Sequence, residues 1–69
     1  MRYLAVLEPT ATGYSAYVPD LPGCVAAGGT EEETLDLLRR AVAMHLDGMR
    51  EDGQVVPAAR AAGHILEVA

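Results

Sequence analysis

Cys24 is the single thiol of the chain, and a thiolate nucleophile needs a base to take its proton. His45 and His64 are the two histidines that could do this. His45 sits one residue before Leu46 on an amphipathic stretch, so it reads as a helix-face residue. His64 opens a short apolar run whose one carboxylate, Glu67, falls on the opposite face of a strand. With no base assigned to it, Cys24 reads as a small, half-buried strand residue. Ser15 lacks the flanking glycines of a nucleophile elbow. Gly28-Gly29 ahead of a helix has the outline of a phosphate loop, yet Glu31, Glu32 and Glu33 would repel a phosphate there. Magnesium-dependent hydrolysis needs several carboxylates converging at strand ends. Glu8, Asp20 and Glu67 are the acids near strands, and they share no motif. The expectation is a protein with no catalytic site, no metal and no cofactor.

Two of these residues belong to the densest local signal, Pro19-Asp20-Leu21-Pro22-Gly23-Cys24. Each proline fixes its own φ and pushes the residue before it toward extended geometry. Gly23 permits a positive φ where the chain turns again. The hexapeptide reads as a rigid strand-to-strand corner. Asp20 reads as an acceptor for nearby backbone N–H groups rather than as a catalytic acid.

The corner needs strands on both sides. Arg2–Glu8 is a β-rich run, Pro9–Gly13 is a loop short enough for a hairpin, and Tyr14–Val18 is a second strand. Cys24–Gly28 is a third, weaker one, rich in alanine and glycine. Thr30 and Glu33 form a capping box that opens a helix, and Glu31, Glu32 and Asp36 suit its positive end. The helix is expected to run to Glu51 or Asp52, with Gly53 as its stop. Leu35, Leu38, Val42, Leu46 and Met49 make one apolar stripe, and Leu37, Ala41 and Met44 a second, offset one. The second stripe, with Met49, is the candidate interface with another chain. Gln54–Gly63 reads as a connector with room for one helical turn, and His64–Val68 as a final strand. Connection rules then give an α+β fold, β-β-β-α-β, with sheet order 3-2-1-4 and one long helix on one face. The other face would expose apolar side chains, which again calls for a partner.

Composition sets the limits. Sixty-nine residues make one domain, residues 1–69. A chain this short buries only about 60% of its unfolded surface, so a lone monomer is marginal. One cysteine excludes an internal disulfide, which leaves self-association or a partner as the remaining support. The net charge is −5, and all five basic residues are arginines. That balance argues against a nucleic-acid surface. It would suit a basic protein partner, although solubility alone also accounts for it. No signal peptide and no apolar run approaching the roughly 18 residues of a membrane span is present, so a soluble cytoplasmic protein is expected.

A hairpin, then Pro19–Cys24, then Gly28-Gly29-Thr30 with Glu32 and Glu33 opening a helix, then Gly53 and Pro57, together with Tyr14 and Val18, make a combined pattern. It resembles the HicB-like antitoxin family of bacterial type II toxin–antitoxin systems over nearly the whole chain. The resemblance implies a partly degraded ribonuclease-H-like fold and a non-catalytic role. It implies binding to a small basic toxin that cleaves mRNA, and masking of that toxin's active site. It also implies dimers or larger assemblies. Many members carry a further DNA-binding domain, for which residues 1–69 leave no room, so no promoter binding is expected of them. Two other readings stay open: a homo-oligomeric structural or regulatory domain without a toxin, and a residual metal-dependent nuclease using Asp20.

Overall fold

The computed structural model describes residues 1–69. Three strands precede one helix: β1 (Val6–Pro9), β2 (Tyr14–Tyr17), β3 (Val25–Gly28) and α1 (Glu31–Glu51). The sheet is antiparallel throughout, in the order β1-β2-β3. Register follows from the loops. Thr10 N–H donates to the Gly13 carbonyl at 2.8 Å and closes the first hairpin, which pairs Glu8 with Ser15 and Val6 with Tyr17. Antiparallel alternation then leaves the backbone groups of Leu7 and Pro9 facing outward from β1. Pro9 has no N–H to offer and sits at an edge, where none is needed.

β1 is shorter at its start than the β-rich run Arg2–Glu8 predicts, and the reason is Pro19. Extending the register puts Leu4 opposite Pro19, which has no N–H to donate. The ladder frays there. A second difference is larger. The predicted fourth strand, His64–Val68, does not form, and neither does a helical turn in 54–63. The β-β-β-α-β order and the 3-2-1-4 sheet are therefore corrected to β-β-β-α and a three-stranded sheet. The first three strands do keep the expected neighbours. The backbone donors of Arg60 and Ala61, which lead toward His64–Val68, go to the Asp20 carboxylate, and the segment itself is exposed rather than laid along β1.

The helix forms where its signals place it. Thr30 is the N-cap, and its Oγ1 accepts from Glu33 N–H at 3.1 Å. Three glutamates fill the first turn and Arg50 lies in the last, each at the dipole end that favours it. Asp52 caps the far end, and Gly53 follows at φ 71°. At about 31 Å, the 21-residue helix far outruns the roughly 13 Å of a four-residue strand. It packs chiefly on β3 and β2.

Close packing there depends on Gly28. A Cβ at that position would meet Thr34 Oγ1 at 2.8 Å and Thr34 N at 3.1 Å. Thr34 is fully buried, with its hydroxyl donating to the Thr30 carbonyl at 2.7 Å. The core is small: Ala16, Val18, Leu21, Cys24, Leu38 and Leu46. Three of those six come from the corner and its flanks, so the corner plugs the core as well as turning the chain.

Candidate protein-interaction site

The corner is held by its own backbone. Leu21 N–H donates to the Val18 carbonyl and Cys24 N–H to the Leu21 carbonyl, both at 3.1 Å. Val18 N–H donates to the Cys24 carbonyl at 3.2 Å and closes the motif. Gly23 stands at φ 90°, a conformation that side chains with a Cβ rarely adopt. Pro19 and Pro22 are exposed, while Leu21 and Cys24 point into the core. Burial raises the Cys24 thiol pKa, which keeps it protonated and unreactive.

Asp20 does accept backbone N–H groups, but not those of the corner. Its Oδ2 takes the N–H of Arg60 and of Ala61, each at 3.0 Å. The partners lie forty and forty-one residues away, so no local pattern announces them. A second tie lies close by in the chain: Tyr3 hydroxyl donates to the Pro57 carbonyl at 2.6 Å. Together they strap residues 57–61 across the amino-terminal segment. Gly63 then passes beside Leu4, at ordinary contact distance for a Cβ placed there.

Beyond Gly63 the chain leaves the body of the protein. Ile65 is 96% exposed, Leu66 81% and Val68 88%. The radius of gyration is 13.5 Å, against about 11 Å for a compact domain of this length. Beside the same amino-terminal segment runs a groove of about 390 Å³, lined mainly by apolar side chains. Tyr3 and Ala5 form one wall, Leu35, Leu38 and Val42 of α1 the other, and Arg2 and Arg39 belong to its lining. The stripe Leu35, Leu38 and Val42 was readable in the sequence, but that it faces Met1–Ala5 across a groove required the structure.

Two further surfaces are apolar and open. Across the uncovered face of the sheet, Val6, Tyr17 and Val25 stand in one register row, with Tyr17 and Val25 exposed. On the helix, Leu37 and Met44 of the second stripe are exposed and Ala41 is half-buried between them. Met49 packs against the core with Val42, in keeping with the first stripe and not with the candidate interface.

No group of three or more His, Cys, Asp or Glu side chains converges to hold a metal ion. His45 and His64 are both exposed and neither reaches Cys24, which is buried. Of the capping box, the Thr30 half forms, and the Glu33 carboxylate lies toward Gly29. Three of the five arginines pair with acids of their own helix: Arg39 and Arg40 with Asp36, and Arg50 with Asp47. The helix therefore offers no basic patch. What the molecule presents is apolar strips, an unpaired strand edge and an acidic surface, which are the means of protein contact. No helix is long and apolar enough to cross a membrane.

Known proteins agree. The sequence model of the HicB_like antitoxin of bacterial toxin–antitoxin systems matches residues 3–68. An uncharacterized 14.9 kDa protein from the rep-hol intergenic region of Haemophilus phage HP1 is 39% identical over 83% of this chain and 43% of its own length. A UPF0150 protein of Helicobacter pylori is 40% identical over 70% of this chain and 67% of its own. Antitoxin HicB 2 of Photorhabdus laumondii is 33% identical over 83% of this chain and 41% of its own. The chain thus spans less than half the length of the phage protein and of the Photorhabdus antitoxin. Among solved structures, a chain of a HicA3 and HicB3 toxin–antitoxin complex superposes with a TM-score of 0.71 at 27% identity, over 87% of this chain and 70% of that one. With a pattern read first from its corner and cap now matched along nearly its whole length, the chain belongs to the HicB-like antitoxin family.

Proposed function

We propose that this protein is a non-catalytic antitoxin module that binds a small, basic, mRNA-cleaving toxin and masks its active site in the cytoplasm. The observation that carries this reading is the likeness, over 87% of the chain, to a member of a toxin–antitoxin complex. The charge of −5 adds to it, because an acidic module suits a basic partner. So do the exposed Leu37 and Met44 beside acidic helix residues, as an apolar centre within a polar rim. In fold terms we read the sheet and helix as a ribonuclease-H-like framework that has lost its carboxylate cluster.

The test is co-expression with any small basic protein encoded in an adjacent reading frame, and the absence of one would count against the reading. The two should co-purify, and RNA cleavage by the basic protein should fall when this chain is present. Leu37→Asp with Met44→Asp should weaken the complex while far-UV circular dichroism stays unchanged. A basic neighbour that cleaves RNA equally well with and without this chain would refute the reading.

Self-association is a second part of the proposal, and it stands with or without a toxin. It is favoured by the unburied carboxy-terminal apolar residues and by a core of only six buried hydrophobic side chains.

A further inference from the structure

We infer that residues Ile65–Val68 of one copy seat in the groove beside β1 of a second copy, reciprocally, and supply each sheet with a fourth strand. The inference rests on the self-association just proposed and names its surface. The molecule presents both halves of the contact. The segment His64–Val68 is β-rich, and its three large apolar side chains are almost fully exposed. The groove is lined mainly by apolar side chains and lies between Met1–Ala5, the run that leads into β1, and α1, while β1 itself keeps one edge that β2 does not use. Alternation turns the backbone groups of Leu7, and of Ala5 just before the strand, toward that edge. An unpaired edge is a template for an added strand.

Charge fits as well. In a chain of net charge −5, this groove is lined by no acid, and of its two arginines Arg2 has no acidic partner while Arg39 shares Asp36 with Arg40. The one carboxylate side chain of the exposed segment is Glu67, set between Leu66 and Val68. The Asp20 and Tyr3 ties hold the chain up to residue 61 against its own body, and the segment beyond Gly63 departs from it. Since strand and edge belong to the same chain, a two-fold exchange satisfies both copies and closes on itself.

Light scattering after size exclusion tests this on the full chain, with Leu66→Asp and Ala5→Pro as variants. Leu66 is exposed, so the aspartate leaves the monomer fold intact. Proline at residue 5 blocks the outer edge but spares the bonds of Val6 and Glu8 to β2. The expected result is twice the mass of one chain for the wild type, and the mass of one chain for each variant, with helical circular dichroism retained. A dimer that survives both substitutions would overturn strand exchange and leave self-association standing. A wild-type monomer at high micromolar concentration would overturn both. A monomer whose Ile65–Val68 amides resist hydrogen exchange would place the strand on its own sheet and overturn the exchange. Pairing that appears only on addition of the basic partner would give the groove to that partner, with the same consequence.

Discussion

One carboxylate oxygen of Asp20 holds two backbone N–H groups from the far end of the chain, at 3.0 Å each. Bonds to a charged acceptor are the stronger kind, and losing them leaves residues 60–61 unanchored. Asp20→Ala is therefore expected to cost about 1–3 kcal/mol and to lower the melting temperature. It should also make the Arg60–Ala61 bond a ready site for trypsin, because the amide of that bond is one of the two that Asp20 grips. Asp20→Asn keeps an oxygen acceptor and should fall between the two in cleavage rate. Cleavage at Arg60 no faster in Asp20→Ala than in the wild type would disprove the tie. The residue's type and its turn-rich setting announced a backbone acceptor. Its partners were not legible, because a contact across forty residues leaves no local spacing to read. Cys24 reads as a small buried residue because no base stands near it in sequence, and the structure does bury it in the core.

Among the elements, α1 was readable at both ends, because Thr30 and Gly53 act through neighbours within a few residues. The sheet was readable in order but not in length. Pro19 shortens β1 from across the sheet, which becomes visible only once the register pairs it with Leu4. The fourth strand was misplaced because propensity alone located it; a strand with no partner in its own chain cannot hold. The seam between β3 and α1 offers a sharp test. Gly28→Ala drives a methyl group against Thr34 and should cost about 1–3 kcal/mol as an overpacked contact. Pairing it with Thr34→Ala removes the closer of the two clashes and should restore part of the loss, measured by denaturant unfolding. No restoration would mean that the close approach is set elsewhere.

At the scale of the whole molecule, charge and shape argue together. With three arginines paired within the helix, the surface acts outward as an acid. Association with the proposed basic partner should therefore slow as salt rises, by about tenfold between roughly 50 and 300 mM, with dissociation changing less. A rate indifferent to salt would assign recognition to the apolar strips alone. Length and a single cysteine lead to the expectation of a partner. The surface left open was not legible in the sequence, since the groove exists only where a long helix meets the run that leads into a frayed β1.

The strap has a consequence in time. The hairpin, the corner and the helix cap each close over a handful of residues, so they form early and cheaply. The Asp20 tie closes a loop of some forty residues, and closing long loops costs more chain entropy. Together with the longer Tyr3–Pro57 closure, it is expected to form after the local closures and to open before them. Hydrogen exchange at Arg60 and Ala61 is therefore expected to run ahead of that of the sheet amides, which would mark the carboxy-terminal arm as a part released before the sheet and helix.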